Sequence, residues 1–239
     1  MDAELRAIDL NADLAEGVTD DAALLGLVTS ANVACGFHAG DARVMREVCE
    51  RAVEGGVIIG AQVSYADREG FGRRPMDVDA DVLTAWVAEQ VATLTEIAGA
   101  AGTTVDYLKA HGALYNRAAD DEDQARALLA GSGTLPVLGL PGSLLLDLVA
   151  AAGREPVGEA FPDRGYTATG RLLPRDQAGA LVHGADRVAA NAVALAGAPG
   201  VRTVCVHGDS PGAVATAAAV RAALARDGYE LRPWFRAGS

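Results

Sequence analysis

The chain has 239 residues, a formal net charge of −12 and a hydrophobic fraction of 50%. This length allows a large core without disulfide or metal staples. The negative charge disfavours nucleic acids and anionic membranes as partners. Cys35, Cys49 and Cys205 form no CxxC pair, which favours reduced thiols in the cytoplasm. Around Met1 the sequence predicts no secretory signal, and no run of about 18 apolar residues predicts a membrane span.

Seven short apolar segments predict strands, and helical patterns lie between and after them. The strands are expected at residues 7–13, 30–37, 57–64, 105–111, 135–140, 155–161 and 202–207. The helices are expected at residues 20–28, 41–54, 79–101, 121–130, 143–152, 185–198 and 211–226. This alternation predicts a parallel sheet. Because no linker or break in composition interrupts it, residues 1–239 are predicted to form a single domain.

Polar residues on one side of several strands favour a closed sheet. Residues two apart in a strand share a face, and Asp9, Asn11 and Asp13 alternate with apolar neighbours. Lys109 and His111 repeat this pattern in a later strand. An open doubly wound sheet carries helices on both faces, so its central strands should be almost wholly apolar. The sequence therefore predicts a seven-stranded parallel (β/α) barrel with a polar interior near its mouth.

Polar side chains from separate strands are expected to converge at the mouth of this barrel. They are Asp9, Asn11, Asp13, Asn32, His38, Asp41, Gln62, Ser64, Lys109, His111, His207 and Asp209. Each histidine alone is compatible with a hydrogen-bonded structural imidazole. The group is harder to explain in that way, because buried charges are costly unless they serve a site or satisfy one another.

Two charged clusters follow predicted strands. Arg68 and Arg73 lie in the first, and Asp163 and Arg164 lie in the second. Arginines at such positions suit a carboxylate or phosphate ligand, although both clusters are also compatible with solvated turns. The sequence contains no GxxxxGK[ST], GxGxxG or HExxH motif, and no GxSxG pattern surrounds Ser64, so these residues predict no Walker-type phosphate loop, no HExxH zinc site and no nucleophile elbow at Ser64.

Four residues near these clusters have simpler expected roles. Asp41 is expected to cap the helix that follows it. Glu16 is expected to be a solvated loop acid. Cys35 has the opposite strand parity from His38 and is expected to face the helices. His183 is expected at the surface.

Five segments, in order along the chain, resemble the LamB/YcsF family of bacterial 5-oxoprolinase A subunits. They are residues 8–13 (IDLNAD), 30–41 (SANVACGFHAGD), 109–116 (KAHGALYN), 161–166 (FPDRGY) and 206–209 (VHGD). The resemblance implies a barrel of the glycoside hydrolase/deacetylase type. It also implies ATP-dependent opening of the lactam 5-oxoproline to L-glutamate, with ADP and phosphate as products. Two partners, the B and C subunits of 5-oxoprolinase, are implied for activity.

The resemblance also implies chemical roles for the candidate residues. His38 or Asp13 is expected to act as general base towards water, and His111 and His207 are expected to stabilise developing charge. The remaining candidates are expected to bind substrate: Asp9, Asn11, Asn32, Ser64, Arg68, Arg73, Lys109, Asp163, Arg164 and Asp209. Gln62 departs from the family pattern, which usually has a histidine there.

Two other functions fit the same residues. One is a metal-dependent deacetylase or amidohydrolase with Asp13, His38, His111 and His207 as ligands. The other is a non-catalytic subunit that binds the lactam while its partners perform the chemistry. ATP is expected as cosubstrate under the oxoprolinase interpretation, and a divalent metal remains an open expectation.

Overall fold

The computed structural model describes residues 6–209 and 212–234. The expectation about Met1 and the predicted helix start at residue 211 therefore lie outside the described residues. Along the described chain, no helix is both long enough and apolar enough to cross a membrane.

The described strands are all parallel and form one sheet. They are β1 (Arg6–Leu14), β2 (Ser30–Ala34), β3 (Ile58–Val63), β4 (Val105–Ala110), β5 (Val137–Gly139), β6 (Pro156–Ala160), β7 (Val201–Val206) and β8 (Tyr229–Leu231). Strand β1 pairs with both β2 and β7, which closes strands β1 to β7 into a barrel. The predicted seven-stranded barrel is confirmed. Strand β8 adds to the start of β1, and its three residues carry too little pattern to be predicted.

Helices surround the barrel. They are α1 (Asp21–Leu25), α2 (Ala42–Gly55), α3 (Ala80–Ala100), α4 (Gly112–Ala118), α5 (Glu122–Gly131), α6 (Leu144–Ala151), α7 (Ala185–Ala196) and α8 (Ala213–Arg226). The sequence does not predict α4, which begins directly after the His111 turn. The side chain of Asp41 accepts hydrogen bonds from the backbone amides of Arg43 and Val44 at the start of α2, which confirms its capping role.

The two faces of β1 differ as the alternation predicts. Ile8, Leu10 and Leu14 belong to the apolar core. At the base of the interior, the carboxylate of Asp9 accepts hydrogen bonds from hydroxyl groups, those of Thr29, Ser30 and Thr203. These bonds satisfy Asp9 inside the barrel and keep it away from the mouth.

An amide layer lies above the Asp9 carboxylate. Asn32 donates from Nδ2 to Asn11 Oδ1 at 2.7 Å and to Asp13 Oδ1 at 2.9 Å. The phenol of Tyr107 donates to Asn32 Oδ1 at 2.7 Å. Because buried polar groups need partners, this network explains how Asn11 and Asn32 are accommodated in the barrel. Both amides are engaged with neighbouring side chains below the mouth.

Candidate functional site

A cavity of about 780 Å³ lies at the carboxyl end of the barrel strands. This volume is within the range of small-molecule sites. Six of the predicted site residues line it: Asp13, Arg73, Lys109, His111, Arg164 and His207. The structure therefore brings together polar groups from β1, β4, β7 and the long loops that follow β3 and β6.

A buried ion network occupies the floor of the cavity. Lys109 Nζ lies 3.0 Å from Asp13 Oδ1 and 2.9 Å from Glu159 Oε1, and it donates to Cys205 Sγ at 3.0 Å. Burial raises the pKa of Asp13, but the Lys109 ammonium and the neighbouring His207 and His111 together outweigh burial, and the pKa falls well below its usual range. Asp13 is therefore a weak base. Lys109, predicted to bind substrate, is occupied in neutralising two carboxylates, of which Glu159 is not predicted from sequence.

His207 and Asp163 form a hydrogen-bonded dyad beside this floor. The Nδ1 atom of His207 lies 2.9 Å and 3.0 Å from the carboxylate oxygens of Asp163. An ionised carboxylate only accepts hydrogen bonds, so Nδ1 carries the proton and a neutral ring leaves Nε2 unprotonated. Burial lowers the pKa of His207, but the Asp163 carboxylate reverses the shift and the pKa is raised. The dyad thus holds an oriented imidazole at the cavity wall.

Glu16 and two stacked histidines form a second cluster. The rings of His38 and His111 stack with centroids 4.0 Å apart. Glu16 Oε1 lies 3.7 Å from His38 Nε2 and 3.5 Å from His111 Nδ1. The expectation that Glu16 is solvated is wrong, since its exposure is 8%. Ala15 adopts a left-handed φ of 61° directly before it, and this turn returns the chain towards the barrel.

A hydrogen bond to the backbone fixes the orientation of the His111 ring. The backbone carbonyl of Phe71 accepts a hydrogen bond from His111 Nε2 at 3.0 Å, so a neutral His111 presents an unprotonated Nδ1. Burial and the stacked His38 ring lower the pKa of His111 well below its usual value, which keeps the ring neutral. Gln62 donates from Nε2 to His111 Nδ1 at 3.0 Å and to Glu16 Oε1 at 3.2 Å.

The loop after β3 covers this cluster. Gly72 adopts a φ of 67°, and a Cβ there would clash with Ser64 Oγ and lie 3.0 Å from the Cβ of His38. Ser64 and His38 are therefore buried under the loop and do not line the cavity. Arg68 donates from Nη1 to the carbonyls of Gly36 and Gly40 at 2.9 Å and 3.0 Å. Its guanidinium holds two loops together outside the cavity.

Arginines stand at the rim. Arg73 is hydrogen-bonded to Asp209, and Arg175 lies 3.8 Å from the same carboxylate. Arg164 donates to the backbone carbonyls of Ala180 and Leu173, so it fixes the loop after β6. Arg73 and Arg175 share one counter-ion between two cations, which leaves a net positive rim suited to an anion.

Comparison with known proteins decides the family. The LamB/YcsF family model matches residues 8–238. The chain is a member of the LamB/YcsF family. The 5-oxoprolinase A subunit of Streptomyces griseus is 56% identical, with 94% of this chain and 98% of the relative covered. The 5-oxoprolinase A subunit of Mycolicibacterium gilvum is 46% identical, with 95% and 98% covered.

Solved structures agree with the barrel. A lactam utilization protein from Thermus thermophilus superposes with a TM-score of 0.86 at 34% identity, covering 95% of this chain and 99% of that one. The catalytic domain of a peptidoglycan N-acetylglucosamine deacetylase from Eubacterium rectale superposes with a TM-score of 0.57 at 13% identity, covering 98% and 90%. The second similarity concerns the fold alone and confirms the deacetylase type of barrel.

Proposed function

We propose that this chain is the A subunit of an ATP-dependent 5-oxoprolinase, which opens 5-oxoproline to L-glutamate together with B and C subunits. The full-length relatives that are named 5-oxoprolinase A subunits support this assignment. The observation that carries it is the cavity itself, in which a rim of arginines stands above a floor of carboxylate, ammonium and imidazole groups. A small anionic lactam needs the arginines to bind its carboxylate and the polar floor to act on its amide.

The rim would recognise the negative charges of the substrate. Arg73 and Arg175 are the cations that share a single carboxylate, Asp209. The carboxylate of 5-oxoproline, or the phosphoryl group transferred from ATP, would exchange with Asp209 for their N–H donors. A guanidinium suits both groups, because its paired donors match two oxygens at once.

The lactam amide is resonance-stabilised, so it must be activated before water can open the ring. Transfer of the γ-phosphoryl group of ATP to the lactam oxygen releases ADP and makes the ring carbon electrophilic. Water then adds to that carbon, the C–N bond opens, and γ-glutamyl phosphate forms. A second water hydrolyses this acyl phosphate to glutamate and phosphate. Each water must lose a proton, so the site needs a positioned base.

The His207–Asp163 dyad is the base that the geometry favours. His207 lines the cavity, and the Asp163 carboxylate orients its ring. The two bases expected from sequence are less suitable. Asp13 is held ionised by Lys109, and His38 lies beneath the loop after β3.

The proposed compartment is the cytoplasm, where ATP is available. Cys35, Cys49 and Cys205 are free and buried, which suits a reducing compartment. Cys35 belongs to the apolar core, in agreement with its expected orientation towards the helices.

Reconstitution tests this function. The purified chain is mixed with the B and C subunits, ATP and 5-oxoproline, and glutamate and phosphate are measured together. We expect equimolar glutamate and phosphate, and loss of both with His207→Ala. The exposed His183 provides the matched control, since His183→Ala should keep the wild-type rate. No glutamate from the complete wild-type mixture would overturn the assignment.

A further inference from the structure

The cluster of Glu16, His38 and His111 has the composition of a metal site. One oxygen of Glu16 and one nitrogen of each histidine lie within 4.8 Å of one another, and all three side chains are buried. From this arrangement we infer that Glu16 Oε1, His38 and His111 Nδ1 bind a divalent transition-metal ion of the zinc type. This inference is independent of the proposed reaction, because it concerns binding by the isolated chain.

The spacing of the donor atoms fits such an ion. Tetrahedral zinc with bonds of about 2.0–2.1 Å separates its ligand atoms by about 3.4 Å. Glu16 Oε1 lies 3.5 Å from His111 Nδ1 and 3.7 Å from His38 Nε2. Both distances are within a few tenths of an ångström of this value, and the His38 and His111 rings, which now stack at 11°, would turn so that a nitrogen lone pair of each points at the ion. Two imidazoles and one carboxylate are also a donor set that catalytic zinc sites use, with the fourth position left to water or substrate.

The hydrogen bonds of the two histidines also favour a bound metal ion. In metal sites, a ligating histidine usually donates its other ring N–H to a carbonyl or carboxylate, as His111 Nε2 does to the Phe71 carbonyl. Neither ring nitrogen of His38 has a hydrogen-bond partner among the described residues, although both are buried. An unpartnered buried imidazole is costly, and coordination of a cation would satisfy it.

Gln62 competes with a cation for this position. Its amide nitrogen donates to Glu16 Oε1 and His111 Nδ1, which are two of the proposed ligand atoms. Its own Oε1 is buried without a partner among the described residues. Binding of an ion would require the amide to turn, because its N–H groups oppose positive charge. Gln62→Glu replaces these donors by an anionic acceptor and is expected to tighten metal binding at least tenfold.

Metal titration of the full chain tests the site. The protein is stripped with chelator and titrated with Zn²⁺ by calorimetry, and Co²⁺ absorption reports the coordination. We expect one ion per chain in the wild type, and binding about 100-fold weaker or more in Glu16→Ala and His38→Ala, since even outer partners of metal ligands contribute 10–100-fold. Two matched controls should keep wild-type affinity: His207→Ala, which removes the dyad imidazole, and His183→Ala, which removes an exposed one.

The outcomes separate the proposed site from metal binding elsewhere on the chain. Loss of stoichiometric binding in Glu16→Ala and His38→Ala, with both controls unchanged, supports the site. Absence of stoichiometric binding by the wild type overturns it, and so does metal retained in both alanine variants. If circular dichroism shows that these variants do not fold, Gln62→Glu decides: tighter binding supports the site, and unchanged affinity overturns it. Glutamate formation is not measured, so failure here is distinct from failure of the oxoprolinase assignment.

Discussion

Asp9→Asn is expected to remove the pH-dependent contribution that the buried Asp9 carboxyl group makes to the free energy of unfolding. Burial raises the pKa of Asp9 from 3.8 to about 6, although hydroxyl donors such as Ser30 and Thr203 oppose the shift. The folded protein therefore holds this proton more tightly than the unfolded chain does. The resulting stabilisation is fully present below pH 3.8 and is lost as the pH rises through about 6. At about 1.36 kcal/mol per pKa unit, the full change is about 3 kcal/mol.

Urea denaturation of the wild type and of Asp9→Asn measures this change. Between about pH 4.5 and about pH 8, linkage gives about 2 kcal/mol of the total. The free energy of unfolding of the wild type, minus that of the variant, should fall by this amount over the interval. Any fixed cost of placing an amide beside Thr203 cancels in the comparison. A difference that stays constant with pH would refute the reasoning.

Lys109→Met leaves two carboxylates buried without their cation and should lower the free energy of unfolding in urea by about 3–5 kcal/mol; wild-type stability would contradict the ion network. Gly72→Ala places a Cβ at a φ of 67° and against the Ser64 hydroxyl, so thermal denaturation should show a loss of about 1–3 kcal/mol; an unchanged melting temperature would argue against the close packing of this loop. Asp163→Asn removes the carboxylate that raises the pKa of His207. In the reconstituted enzyme, kcat should fall about 100-fold or more, and the acidic limb of the pH profile of kcat/KM should move to lower pH; an unshifted limb would count against the dyad as base.

The barrel could be predicted because its interior is polar. In β1, Asp9, Asn11 and Asp13 alternate with residues that pack against helices, and this alternation is visible in sequence. Alternation indicates the face of a strand but not the depth of a residue in the barrel. Asp9 lies four residues before Asp13, about 13 Å along the strand. This distance separates a side chain satisfied inside the barrel from one that lines the cavity.

Other parts of the site depend on tertiary contacts that no local pattern contains. Glu16 is polar and follows a strand, as a solvated loop acid would, and only the left-handed turn at Ala15 distinguishes it. Glu159 on β6 contacts Lys109 on β4. These two strands flank β5, so the order of the strands in the barrel is needed to identify the contact. Arg68 has the composition of an anion-binding residue, yet loop carbonyls occupy its donors. Within a charged loop, sequence does not show which arginine reaches the cavity.

The most direct test of the central claim is the rate of glutamate formation in the complete mixture with the B and C subunits, ATP and 5-oxoproline, comparing wild type with Arg175→Ala and His183→Ala. If the cavity of this chain holds the anionic lactam, Arg175→Ala should raise the KM for 5-oxoproline about tenfold or more, as expected for the loss of a charge-assisted contact, whereas His183→Ala should leave it unchanged. An unchanged KM in Arg175→Ala, or glutamate formed at the same rate without this chain, would contradict the account.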